Sequence, residues 1–69
     1  MDFLHAVTAL SKGSRVLSSI VANGEREELV LVNGTPFIKA PRILGAKSDN
    51  YIFSSPSMEE ILDDGWEVL

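Results

Sequence analysis

Glu27-Glu28-Leu29-Val30-Leu31-Val32-Asn33-Gly34-Thr35-Pro36-Phe37-Ile38-Lys39 is the stretch whose reading decides the architecture. Its first half is dominated by branched aliphatic residues, which suit a pleated strand. Asn33-Gly34 then supplies the two residues that tolerate positive φ in a two-residue hairpin turn. Leu29-Val30-Leu31-Val32 has no alternation, so the strand is expected to be buried on both faces. Pro36 has no N–H to donate, and it is expected at a strand start or at a sheet edge.

Working outward toward the N-terminus, Asn23-Gly24 repeats the turn signal and closes a second hairpin. The strand before it, residues 15–21, puts Val16, Ser18 and Ile20 on one face and Leu17, Ser19 and Val21 on the other. Further back, Phe3, Val7 and Leu10 recur at helical spacing with Ala6 beside them. Asp2 is a good N-cap, Lys12 suits the last turn and Gly13 suits the position after it, so a helix is predicted over 3–12.

Toward the C-terminus, 41–50 is irregular, with Ile43-Leu44 a possible short strand and Gly45, Ser48, Asp49 and Asn50 forming a loop. Tyr51-Ile52-Phe53 reads as a strand. Ser57 and Glu60 have capping-box spacing after Pro56, which predicts a helix over 58–64 ended by Gly65. Trp66-Glu67-Val68-Leu69 reads as a last strand with Trp66 and Val68 on one face. The expected fold is α+β: a small antiparallel sheet, an N-terminal helix, and a short C-terminal helix followed by a final strand. Residues 1–69 form a single domain.

A 69-residue chain buries only about 60% of the surface it exposes when unfolded. Such domains lean on disulfides, metals or oligomerisation. The chain has no cysteine and one histidine, which excludes disulfides, thiolate zinc sites and a histidine pair. Oligomerisation remains. No apolar run is long enough to span a membrane, and residues 1–5 lack the basic and apolar regions of a signal peptide, so a cytoplasmic location is expected.

Charge is unevenly placed. Residues 1–54 carry six basic residues against five acids, a net of +1, while 55–69 carry five acids and no base. That is too few cations for a DNA-binding stripe, although a few around a pocket could hold one or two phosphates. The candidates are Arg15, Lys39, Arg42 and Lys47. Arg42 stands out because its planar fork can hold a phosphate in two bonds from an irregular segment. Residues 42–55 also hold Tyr51 and Phe53 for base stacking and Asn50, Ser54 and Ser55 for ribose or base edges. The expected ligand-binding set is therefore Arg42, Lys47, Asn50, Tyr51, Phe53, Ser54 and Ser55.

Other residues favour plainer roles. Phe37 belongs to the aromatic stock of the sheet, and Trp66 reads as core or interface. His5 has no recognisable nucleophile and acid partner, so no catalytic residue is expected. Glu59/Asp63 and Glu60/Asp64, four apart on the second predicted helix, read as a solvated acidic face rather than a metal site. No cofactor is expected, since neither a glycine-rich phosphate loop nor a dinucleotide motif is present.

The two ends of the chain add a resemblance. Met1-Asp2-Phe3-Leu4-x-Ala6-Val7-x-Ala9-Leu10-x-Lys12-Gly13, followed by Arg15-Val16, and the ending Ser57-x-x-Glu60-Ile61-Leu62-x-Asp64-x-Trp66-Glu67-Val68, together resemble the second Thoeris anti-defence family of phage proteins. The likeness covers both ends and little of the middle. Where that family carries Arg-x-Gly-Trp after the basic-Val pair, this chain has Leu17-Ser18-Ser19-Ile20-Val21. The resemblance implies a non-enzymatic sponge, a homo-oligomer and possible tetramer with pockets shared between protomers. It would sequester a cyclic nucleotide immune signal, such as glycocyclic ADP-ribose or a cyclic oligonucleotide of CBASS type, inside an infected bacterial cell. The alternative reading is a small acidic inhibitor that binds a host protein directly and is steered by the acidic 55–69 segment.

Overall fold

A computed structural model describes residues 1–42 and 51–69. The elements run α1 (Phe3–Ser11), β1 (Val16–Ala22), β2 (Glu25–Val32), β3 (Thr35–Pro41), β4 (Tyr51–Ser54), α2 (Met58–Ile61) and β5 (Glu67–Val68). The strands form one antiparallel sheet in the order β4-β3-β2-β1-β5. The small α+β architecture is the expected one. Ile43-Leu44 lies outside the described residues.

Both Asn-Gly pairs form the turns their chemistry favours. Asn23 and Gly24 have φ of 49° and 82°, and Asn33 and Gly34 have 52° and 79°. Positive φ at both central residues matches the right-handed twist of the flanking strands. Helix α1 begins at Asp2, whose side chain accepts the His5 N–H. It ends with the Gly13 N–H on Leu10 O at 3.0 Å and the Ser14 N–H on Ala9 O at 3.2 Å. Those two bonds satisfy carbonyls that the last turn would leave unpaired.

Residues opposite one another on adjacent strands point to the same side of a sheet. The ladders therefore define two rows, each crossing all five strands. One row is Val68, Val16, Leu29, Ile38 and Ser54; the other is Glu67, Leu17, Glu28, Lys39 and Phe53. Helix α1 lies on the first. Its Ala6 joins Val16, Leu29, Ile38 and Trp66 in a fully buried core, with Phe3, Val7, Ala9 and Leu10 packed around it. Trp66 meets Phe3 edge-to-face at 5.9 Å and 67°, and its indole N–H donates to Glu60 O at 3.2 Å. The second face has no helix over it among the described residues.

Two expectations need correcting. β2 is buried on one face only: Leu29 is fully buried, Val30 and Leu31 are half-buried, and Val32 is exposed. The unbroken apolar run therefore serves a core on one side and an open surface on the other. Pro36 is the second residue of β3, at a strand start as expected, and β4 pairs only with Ile38–Pro41. Its missing N–H thus falls where β3 has no outer neighbour among the described residues. Helix α2 stops at Ile61, with Leu62 as its C-cap. Its capping box is formed as expected, with Ser57 accepting from the Glu60 N–H and Glu60 accepting from the Ser57 N–H.

Candidate functional site

The open face is built by alternation along three strands. Val30 and Val32 of β2, Phe37 and Lys39 of β3, and Tyr51 and Phe53 of β4 all project to it, because Val32 pairs with Thr35, Val30 with Phe37, Lys39 with Phe53 and Pro41 with Tyr51. Val32, Phe37 and Phe53 line an apolar groove of about 390 Å³. That volume lies toward the lower end of small-molecule sites. Phe53 remains 55% exposed, so its ring is available to a flat partner. Beside the groove, the Lys39 ammonium lies 4.5 Å from the centre of the Tyr51 ring. The ring holds the cation by its negative face while leaving ammonium donors for an anion.

Other cations of the sheet are engaged. Arg15 binds Glu28 at 3.2 Å, and Arg26 binds Glu67 at 2.7 Å while its Nε donates to Ser18 O. Arg42 is exposed just past the end of β3, next to the Pro41–Tyr51 pair, and forms no ion pair among the described residues. Lys39 and Arg42 are thus the cations closest to the aromatic groove along the chain.

The expected binding set only partly converges. Tyr51 and Phe53 share the open face. Ser54 points to the opposite face, since it pairs with the buried Ile38, and Ser55 lies beyond the strand. Lys47 and Asn50 lie outside the described residues. Val32 and Phe37 form two walls of the groove that sequence reading left unassigned. Their signal was the alternation Val30/Val32 before the turn and Phe37/Lys39 after it, hidden by the apolar residues in between.

Of the acids expected on a solvated face, Glu59 and Asp64 are exposed, but Glu60 and Asp63 are engaged. Asp63 accepts the hydroxyls of Ser18 at 2.8 Å and Ser19 at 2.9 Å, and the Gly65 N–H at 2.9 Å. Desolvation raises its pKa, but these hydrogen bonds outweigh it and hold the carboxyl below its ordinary value. Glu60 is 8% exposed and its carboxyl meets that of Glu27 from β2. Burial, then the hydrogen bond to Glu60 and the nearby Glu60 and Glu59 charges, push Glu27 up to about 7. Burial also pushes Glu60 up, but hydrogen bonds from Glu27 and Ser57 bring it below its ordinary value. One Glu27 oxygen, Oε1, is buried without a hydrogen-bond partner among the described residues.

His5 is exposed, with Nδ1 2.7 Å from Asp2 Oδ1. The same oxygen caps α1, so the pair belongs to the helix start. The His5 N–H and then its ring lower the Asp2 pKa. Among the described residues no three histidine or carboxylate side chains gather to hold a metal, and no helix is long and apolar enough to cross a membrane.

Comparison of the chain with protein-family models, with curated proteins and with solved structures finds no match.

Proposed function

We propose that this protein is a non-enzymatic sponge that binds a cyclic nucleotide signal and removes it from the reach of a host effector. The observation that carries the reading is the apolar, aromatic groove of Val32, Phe37 and Phe53 with the Lys39–Tyr51 pair beside it. A cyclic nucleotide offers flat bases, which suit Phe53 and Phe37, and phosphates, which suit Lys39 and Arg42. The end motifs shared with the second Thoeris anti-defence family support the same reading. In that role the protein acts as a homo-oligomer in the cytoplasm of an infected bacterial cell, and affinity and abundance replace turnover.

The ligand and its fate test the proposal together. Purified protein is heated with glycocyclic ADP-ribose and, separately, with cyclic oligonucleotides. A ligand that binds only the folded state raises the melting temperature by mass action. Arg42→Ala weakens that binding by more than tenfold, the equivalent of about 1.5–3 kcal/mol for a charge-assisted contact. Heat-released nucleotide elutes unchanged. A linearised or hydrolysed product overturns the sponge in favour of an enzyme. No melting shift with any cyclic nucleotide favours the direct protein inhibitor.

A further inference from the structure

Asn23-Gly24, Asn33-Gly34 and Asp64-Gly65 each put a carboxamide or carboxyl side chain directly before a glycine. A glycine nitrogen has no side chain beside it, so it can reach the carbonyl carbon of the side chain that precedes it. Two of the three pairs are tied down. Asn23 Nδ2 donates to Pro41 O at 3.0 Å, which holds that carboxamide against the end of β3. The Gly65 N–H donates to Asp63 Oδ1 at 2.9 Å, which occupies the nitrogen that would have to attack. Asn33-Gly34 has neither restraint. Asn33 is exposed, and its side chain makes no hydrogen bond among the described residues. A Cβ at Gly34 would meet nothing within 4 Å. The two asparagine turns are otherwise matched, with φ of 49° and 82° in one and 52° and 79° in the other. Backbone geometry therefore cancels between them, and the tether on Asn23 is what differs.

We infer that Asn33 is a site of spontaneous deamidation in the folded protein, and that the bond from Asn23 to Pro41 keeps the matching turn from reacting. The Gly34 nitrogen gives its proton to hydroxide and bonds to Asn33 Cγ. The Cγ–Nδ2 bond breaks, and the nitrogen leaves as ammonia with a proton from water. Water then opens the cyclic imide at either carbonyl, giving aspartate or isoaspartate. Nothing is oxidised or reduced. Either product puts a carboxylate where a neutral amide stood, on a chain whose net charge is already −4. Isoaspartate also adds a methylene to the main chain of a turn whose two-residue length sets the β2–β3 register. Val32 adjoins the turn, pairs with Thr35 across it and forms a wall of the groove. The open face is therefore where the change is felt first. The modification stands on the turn alone; only an effect on ligand binding rests on the nucleotide-binding reading.

The two turns make the test internal to one sample. The parent chain is held at mildly alkaline pH, folded and, in parallel, in denaturant. Peptide mapping by mass spectrometry follows the exchange of an amide nitrogen for an oxygen at each asparagine, and isoaspartyl methyltransferase labels the isoaspartate formed. In the folded sample Asn33 should convert several-fold faster than Asn23. In denaturant the Pro41 tether is gone, and the two rates should converge. Equal rates in the folded protein, faster conversion at Asn23, or protection of both sites against the denatured control overturns the inference. A difference that persists in denaturant also overturns it, by assigning the preference to neighbouring residues instead of the fold. None of these outcomes bears on the sponge reading, which the melting shift with cyclic nucleotides tests separately.

Discussion

Two rows of residues cross the sheet side by side, one position apart, and they have opposite fates. Val16, Leu29 and Ile38 in one are buried to 1% exposure or less. Leu17, Glu28 and Lys39 in the other stay half-buried, and the row ends in exposed Glu67 and Phe53. The strands, their pairing and their twist are shared, so the difference comes from what lies above. Helix α1 and Trp66 cover one face; the other carries an aromatic groove and ion pairs. A protein this small has enough helix to cover one face of its sheet. The comparison teaches that the packed core and the open aromatic surface are divided between the two faces, one residue out of phase.

The largest expected effect comes from breaking the covered face. Trp66→Ala removes the Phe3 contact, the Glu60 hydrogen bond and a fully buried side chain. Such truncations cost about 3–5 kcal/mol, a large share of a small domain's stability. Circular dichroism should show a chain largely unfolded at 37 °C by the usual thermal criteria, whereas a melting point near the parent's would remove Trp66 from the core.

Next in size is the junction that ties the C-terminal segment to β1. A Cβ at Gly65 would lie 2.6 Å from both Cβ and Oγ of Ser19. Gly65→Ala therefore forces backbone apart and should cost about 1–3 kcal/mol, as overpacking does. Asp63→Ala acts on the same junction by leaving the buried Ser18 hydroxyl without its carboxylate, and about 1–3 kcal/mol is expected there too. Chemical denaturation of each variant measures the loss, and a value near zero for both would mean the junction is held elsewhere.

A smaller effect is expected with pH. The folded state raises the Glu27 pKa from 4.5 to about 7, so its contribution is fully present below 4.5 and is lost as pH rises through about 7. Glu60 is shifted the other way, and its contribution is lost as pH falls below its lowered value. With one proton between them, the two carboxyls favour the fold most between the two limits. The melting temperature should fall as pH rises from 4.5 through about 7 and level off above, and Glu27→Gln should flatten that slope by keeping a donor toward Glu60. Parallel slopes in parent and variant would show that the pair does not share a proton.

The smallest effect on stability sharpens the comparison from the open side. Phe53→Ala removes a ring that is already half in solvent, and its cost to folding should be under about 1 kcal/mol. The same change should abolish most ligand stacking. If it instead destabilised as strongly as Trp66→Ala, the open face would be core, and the division between the faces would fail.

Local signals in the sequence were read where the chemistry is local. The Asn-Gly turns, the Asp2 cap, the Gly13 ending and the Ser57/Glu60 box all depend on residues within a few positions, and all formed. Readings that depended on distant partners fared differently. Glu60 and Asp63 have the spacing of a solvated helix face, but β1 and β2 supply Ser18, Ser19 and Glu27 from more than thirty positions away. Tyr51 and Phe53 were legible as binding candidates by residue type. Ser54 was not separable from them, because only strand register says which neighbours share a face.

By itself the sequence determined the hairpins, the helix caps and the α+β order, since these follow from backbone preferences and composition. Only the tertiary structure decided which face of the sheet is covered, that Phe37 and Val32 join Phe53 in one groove, and which acids are buried. Strand alternation offers two faces of similar apolarity in Leu29-Val30-Leu31-Val32. The choice between them is made by where α1 and Trp66 dock, and that is a property of the packed chain rather than of any single segment.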